Sequence, residues 1–343
     1  MKRKNRLFKT ENTLNRGEFN RTLSELKERL RASPKRRLMC LSTTANLNNP
    51  NIYFGSIRET ETTVAGNIIF TSDEMLPETV NTFDGFVECF LIDVEVKNSI
   101  SDFAKRTSAL VKKSKCHFYK PNDFTVRALD EFAACLIPDL RNSNALIIGA
   151  GNIGCKAALS LAERGASVKL YDIAVERTEK IVSVLNLLKR GRGEIILSGE
   201  PSADAVNAGL ILGCTPGIPG ITHKMILNVS RDSIIIDVGN GTLFPDAVEE
   251  ANRRDLTIYC FSAECGYESF VKLWEQTERM LKSMGRRKLA SGLTLITPGI
   301  LGGLGDIIVN DLDTRERIIG VCDGRGDILS GENAKEFIKR LDR

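Results

Sequence analysis

The chain has 343 residues, of which 42% are hydrophobic and 27% charged. This is the composition of an ordinary globular protein of roughly two domains, and it excludes collagen-like, low-complexity and disulfide-stapled miniature folds. The formal charge of +4 is uneven, because residues 1–37 carry 13 Lys/Arg against 4 Asp/Glu, leaving +9 there and −5 over the remainder. No apolar run approaches the roughly 18 residues of a membrane span. The basic start MKRKNRLFKTENTLNRG has no apolar segment of the signal-peptide kind behind it. Nine cysteines, at 40, 89, 116, 135, 155, 214, 260, 265 and 322, are scattered singly without a CxxC, so a reduced, cytoplasmic setting is expected.

Phe19, Leu23, Leu26 and Leu30 recur at helical spacing with charges between them. They predict an amphipathic helix with a solvated basic face. No nucleic-acid module accompanies that charge, and nucleic acid is not expected as a partner. LMCLST, TTVAGNIIFT and FVECFLIDVEV then read as strands of a first α/β region. A helix is expected around SISDFAKRTSALVKKSK, capped by Ser99 or Ser101. A second is capped by Asp123 and keeps Phe124, Ala128, Phe132 and Leu136 on one face.

From Asn144 the alternation is regular: strands ALII, SVKLYD, EIILSG, GLILGC, SIIIDVG and LTIYCF, separated by helices. Gly165 suits the end of the first of these helices. Short apolar strands between helices predict a parallel sheet covered on both faces. A long helix ending near Gly285, a hairpin RIIGVCDGRGDIL and a final helix ENAKEFIKRLD complete the chain. The RGD in that hairpin reads as turn chemistry. The expected fold class is therefore α/β, with a doubly wound Rossmann sheet preceded by a smaller α/β domain and followed by C-terminal helices returning toward it. The expected divisions are 1–37, 38–142, 143–265 and 266–343.

NALIIGAGNIG places Gly149, Gly151 and Gly154 between a strand and a helix, and Asp172 ends the next strand. In a dinucleotide fingerprint these glycines supply a tight turn, close backbone approach to a pyrophosphate and close helix packing, and the N–H groups of Asn152 and Ile153 open the helix. Asp172 is the expected partner of the adenosine ribose hydroxyls, favouring NAD over NADP, although nearby Arg177 keeps NADP open. Cys214, Thr215 and Pro216 in GCTPGIPG and Gly239 and Asn240 in DVGNGT sit at carboxyl ends of strands, where ligands of open α/β sheets bind.

The helix after a short polar segment, the GAGNIG unit, the TPG and DVG loops and the returning C-terminal helix resemble the amino-acid-dehydrogenase-like superfamily. Shikimate and methylenetetrahydrofolate dehydrogenases are members, and ornithine cyclodeaminases and alanine dehydrogenases are more distant comparisons. The similarity covers roughly residues 85–310. In shikimate dehydrogenases an Asn-Thr-Asp segment precedes the linking helix, and its aspartate acts with an upstream lysine. The matching place here reads PNDFT, so the resemblance puts Asp123 at the aspartate. The threonine is missing, and no upstream motif fixes the lysine.

Hydride transfer at a C–OH or C–NH2 carbon needs a proton-handling group. Lys120 and Asp123 in KCHFYKPND are the candidate pair, with His117 in reserve; His223 reads as a surface or capping residue. Lys112, Lys113 and Lys115 read as mainly solvated, with one of them, or Lys105 with Arg106, a candidate anchor for a substrate carboxylate. Cys214 and Cys265 read as packing residues, and no metal-ligand spacing is present. The expected function is an NAD(H)-dependent oxidoreductase acting on a small hydroxy, keto or amino acid. An enzyme with bound NAD and internal redox, and a non-catalytic NAD sensor or scaffold, are the alternatives. A homo-oligomer is left open.

Overall fold

A computed structural model describes residues 15–46, 50–97 and 100–341. The expectations for residues 1–14 and for Ser99 lie outside the described residues. The chain divides into two compact units, Met1–Ser269 and Phe270–Arg343.

In the first unit, α1 (Arg16–Arg31) starts at a capping box in which Asn15 and Glu18 satisfy each other's backbone N–H groups. It buries the four residues of its apolar stripe. Strands β1 (Arg36–Thr43), β2 (Ile52–Phe54), β3 (Arg58–Glu59) and β4 (Thr63–Phe70) follow, then α2 (Leu76–Phe83), β5 (Cys89–Asp93), α3 (Phe103–Leu110), β6 (Lys115–Tyr119) and α4 (Pro121–Leu136). They form one sheet in the order β2-β4-β1-β5-β6, with β3 also on β4. β1, β4, β5 and β6 run parallel, and β2 and β3 are antiparallel to β4. Met39, Leu41, Ile68, Phe70, Phe90 and Ile92 on one face join α1 and α2 in a single core.

Several expectations are corrected here. The short polar segment before α4 includes a strand that the sequence reading did not assign, β6, at the sheet edge. Its outward Cys116 and Phe118 are exposed, which blurs the alternation that marks a strand. Asp123 is not the N-cap of α4: the helix starts at Pro121, Lys120 holds the cap position without a side-chain cap, and Asp123 lies in the first turn. Pro121 sets this boundary, since it fits the first helical position, where no N–H is needed. The cap residue of α3 is Asp102 at φ 53°, not Ser101. Asp84 accepts from the backbone N–H groups of Lys112, Lys113 and Ser114 at 2.8–3.1 Å, fixing the chain just before β6.

The second sheet contains β7 (Asn144–Ile148), β8 (Ser167–Tyr171), β9 (Ile195–Leu197), β10 (Leu210–Gly213), β11 (Ile234–Asp237) and β12 (Ile258–Cys260). Between them run α5 (Asn152–Glu163), α6 (Val175–Leu188), α7 (Pro201–Asp204), α8 (His223–Asn228) and α9 (Pro245–Arg253). All pairings are parallel, in the order β12-β11-β10-β7-β8-β9. This is the doubly wound Rossmann arrangement, with the order reversing beside β7. Gly165, at φ 102°, follows α5 in a Schellman turn: its N–H donates to Ala162 and that of Ala166 to Leu161.

α10 (Glu264–Ser283) spans the division between the units. The second unit is not only helices and a hairpin. β13 (Arg286–Lys288), β14 (Thr294–Ile296), β15 (Leu304–Val309) and β16 (Ile318–Asp323) form a four-stranded sheet, covered by α11 (Gly331–Leu341). The expected hairpin is present in short form: Cys322 bridges Ile328, the N–H groups of Asp323 and Leu329 donate to Asp327 O and Val321 O, and the Asp323 carboxylate accepts from the Arg325 and Asp327 N–H groups of the turn.

Candidate active site

The turn from β7 to α5 explains its three glycines separately. Gly149 has φ 107°, and a Cβ there would come within 2.9 Å of the Cys214–Thr215 backbone. Gly154 lies against the Gly149 carbonyl, which any side chain would strike. Gly151, the N-cap of α5, has nothing within 4 Å of where a Cβ would stand. The opening turn of α5 therefore presents Asn152, Ile153 and Gly154 N–H groups beside open space, where helix geometry leaves donors unsatisfied. This donor set fits a pyrophosphate.

Asp172 follows β8 and supports the same turn. Its Oδ2 accepts from Ala150 N–H at 2.8 Å and its Oδ1 from Ala174 N–H at 3.0 Å. A carboxylate has about four lone-pair sites, so accepting capacity remains for ribose hydroxyls. Arg177 Nη1 donates to the Ala150 carbonyl at 3.1 Å, which ties this cation to the glycine turn.

Two further loops close around β10 and β11. Thr215 Oγ1 donates to Ile218 O at 2.5 Å, and Gly217 adopts φ 67° beside exposed Pro216. Asp237 gathers the next loop by accepting from Gly241 N–H (2.7 Å), Thr242 N–H (3.2 Å) and Thr242 Oγ1 (2.8 Å). That loop holds Asn240 in the left-handed region at φ 60°, and Gly239 packs on the Thr215 carbonyl too closely for any Cβ. Cys214 N–H bonds Ile148 O at 2.7 Å. Its thiol is pushed up to about 12, first by burial and then by the neighbouring Cys155 and Asp237. It is a packing residue, as expected, while Cys265 is exposed.

The first sheet meets these loops at its carboxyl edge, where the Asn46 side chain, beyond β1, lies against Gly217. Lys120 and Asp123 are brought together as an ion pair. Lys156, from the Rossmann helix α5, also reaches Asp123, Nζ to Oδ1 at 2.5 Å. Burial raises the Asp123 pKa, but the bonds from Lys120 and Lys156 outweigh it and leave the carboxyl below its ordinary value. His117 lies within β6, half-buried on the face shared with Tyr119, rather than in the Lys120 turn. Arg106 is engaged with Asp73, Lys112 Nζ donates to Ala109 O, and Lys105, Lys113 and Lys115 are exposed. None of these five is seen at this edge. His223 opens α8 with Glu250 3.7 Å away.

Sequence reasoning missed a second group here. Asp93, at the end of β5, is buried and accepts from Lys97 Nζ at 2.7 Å, Glu95 N–H at 2.8 Å and Thr43 N–H at 3.3 Å. Lys97 Nζ also stands 3.3 Å from Glu95, whose Oε2 accepts from Asn122 N–H at 2.9 Å. A chain of charge thus runs from Asp93 through Lys97 and Glu95 to the turn that holds Lys120 and Asp123. Burial raises the Asp93 pKa despite Lys97. The available signal was the carboxylate–lysine spacing in IDVEVK at a strand end. Among the described residues no group of His, Cys, Asp and Glu is arranged to hold a metal ion, and no helix is long and apolar enough to cross a membrane.

Residues 128–246 match the family model for the C-terminal domain of alanine dehydrogenase and PNT. No curated protein matches the chain significantly in sequence. Among solved structures, the chain is similar to a dipicolinate synthase from Bacillus halodurans, at 10% identity, 72% of this chain, 97% of that one and TM-score 0.38. Quinate dehydrogenase from Corynebacterium glutamicum, in complex with NAD, is 12% identical over 65% of this chain and 87% of that one, with TM-score 0.40. L-tryptophan dehydrogenase from Nostoc punctiforme is 11% identical over 68% and 72%, with TM-score 0.39. The family match and the strand order agree that this part of the chain is a Rossmann-type unit similar to the C-terminal domain of alanine dehydrogenase and PNT.

Proposed function

We propose that the protein is an NAD(H)-dependent oxidoreductase that transfers a hydride to or from a small, carboxylate-bearing hydroxy, keto or amino acid. One observation carries the reading: a glycine turn opening at Gly151 and a chain of lysine–carboxylate pairs occupy the carboxyl edges of two sheets that touch at Asn46 and Gly217. Gly151, Asn152, Ile153 and Gly154 would hold the pyrophosphate, and Asp172 the ribose. Loops 214–216 and 239–240 would border the nicotinamide, which when bound supplies or accepts the hydride.

The chain's own residues handle the proton. Asp123 accepts from Lys120 and Lys156 and keeps both ammonium groups turned toward the edge. Lys97, more enclosed and held by two carboxylates, is added to Lys120 and Asp123 as a proton-handling candidate. His117 stays in reserve. Asp172 favours NAD, because its negative charge opposes a 2′-phosphate.

The test is absorbance at 340 nm with pooled hydroxy, keto and amino acids. Sustained turnover supports the reading, with Lys97→Met and Asp123→Asn lowering kcat at least about a hundredfold, the usual scale for general acid–base groups, while NADH binding persists. Product without net change at 340 nm would replace net oxidation with internal redox. NADH binding without turnover on any pool would favour a sensor.

A further inference from the structure

Arg58 is the anomaly among the charged residues of the first unit. It stands on the short strand β3, opposite Ala65 of β4. Its guanidinium carbon lies 4.9 Å from the centre of the Tyr267 ring and 5.8 Å from that of Phe124. The polar groups that sense its charge are the Cys40 thiol and the phenols of Tyr119 and Tyr267. Burial is the main factor raising all three, so each is neutral near pH 7. Among the described residues no carboxylate forms an ion pair with Arg58. Arg164, by contrast, has Asp130 and Glu131, and Arg253 has Glu250.

A second observation points to the same spot. The Tyr267 hydroxyl is buried, and apart from the weakly bonding Cys40 thiol beside it, it has no hydrogen-bond partner among the described residues. A buried hydroxyl left without a strong partner costs up to about 1–3 kcal/mol, and the half-buried guanidinium beside it has no counter-charge among the described residues. Both deficits are removed by one small anion that accepts from the guanidinium and from the phenol. The planar fork of arginine matches a carboxylate in two-point geometry.

The place is also right for a reacting molecule. Tyr119 immediately precedes Lys120, Phe124 immediately follows Asp123, and their rings stack at 6.2 Å. Arg58 is therefore one ring away from the proposed proton-handling pair, and it is only half-buried. We propose that Arg58 and the Tyr267 hydroxyl form the subsite that takes the carboxylate of this protein's substrate. The assignment rests on the oxidoreductase reading, which left the carboxylate without an anchor.

The experiment uses the full chain and oxalate as probe, with acetamide as the uncharged control, at constant ionic strength. Melting temperature is followed against oxalate concentration, and NADH affinity is measured separately by fluorescence. Wild type is expected to gain melting temperature with oxalate and not with acetamide. Arg58→Gln should raise the oxalate midpoint at least about tenfold, Arg58→Lys should recover part of that loss, and all should bind NADH as wild type does. Tyr267→Phe removes only the hydroxyl and should weaken oxalate severalfold, so the test survives if Arg58→Gln fails to fold. No oxalate response in wild type overturns the proposal, as does an unchanged midpoint in Arg58→Gln or, if that variant is unfolded, in Tyr267→Phe. Loss of NADH binding by wild type would instead sink the oxidoreductase reading and leave an oxalate site standing.

Discussion

Asp130 and Arg164 meet as a two-point clasp between α4 and α5, with Nε 2.7 Å from Oδ1 and Nη2 2.7 Å from Oδ2, and Ser160 Oγ adds a third bond at 2.6 Å. Asp130→Asn keeps the shape and loses the charge. We expect it to cost about 1–3 kcal/mol, the range for hydrogen bonds to charged groups, read as a lower denaturation midpoint with unchanged slope.

The same clasp sets an acid limit. Burial opposes ionisation of Asp130, but Arg164 and Ser160 win and lower its pKa, and Asp123 is lowered in the same way by Lys120 and Lys156. A carboxyl lowered by folding contributes stability that is present above the unfolded value, near pH 4, and lost as pH falls through the folded value. Urea midpoints should therefore be flat in this respect from pH 7 to about 5 and fall below pH 4. In Asp130→Asn that fall should be shallower.

Gly151 and Gly154 separate binding from folding. Gly154→Ala drives a methyl into the Gly149 carbonyl, so a loss of several degrees in melting temperature and of NADH binding is expected. Gly151→Ala meets nothing in the protein and should cost under about 1 kcal/mol as an N-cap change. Its NADH affinity should still fall at least about tenfold, because the methyl occupies the approach to the helix donors. Equal NADH affinity in Gly151→Ala and wild type would remove the pyrophosphate from this turn.

Much of this was legible in advance. The six strands from Asn144 to Cys260 are short apolar runs between helices, and each glycine of the turn has a steric reason that the motif spacing already encodes. The four-residue stripe of α1 was equally plain, because a helix against a sheet buries one face. β2, β3, α2 and the strands β13–β15 were not legible. They are two to eight residues long and take their form from the neighbours they pair with or cover. Lys97, Lys156 and Arg58 were missed for another reason: Asp93 to Lys97 is one turn of loop, but Lys156 to Asp123 and Arg58 to Tyr267 join residues far apart in the chain.

Asp172 gives a prediction about cofactor choice. Asp172→Asn keeps one acceptor oxygen for the Ala150 and Ala174 N–H groups, where the native carboxylate uses two. The ratio of NADH to NADPH affinity should shift toward NADPH by about tenfold or more, since the charge that opposes a 2′-phosphate is gone. Parallel fluorescence titrations with both nucleotides measure it. An unchanged ratio would show that Asp172 serves the turn alone.

Cysteine labelling probes the interior without a ligand. Cys214 is held near 12 and Cys40 is fully enclosed, so neither offers thiolate at pH 8. Iodoacetamide should modify exposed Cys135, Cys260 and Cys265 first, and Cys40 and Cys214 only in denaturant, as read by peptide mass.

The Asp84 clasp has a consequence at the far end of β6. Because strand side chains alternate, sliding β6 by one residue along β5 would turn Phe118 inward, expel Tyr119 and carry Lys120 away from the edge it shares with Asp93. Among the described residues β6 pairs with β5 alone, so its own ladder resists such a slip less than that of a central strand. By gripping three successive N–H groups before the strand begins, Asp84 works as an indexing stop. The alignment of Lys120 and Asp123 is set at the opposite end of the strand, by a carboxylate that touches neither of them.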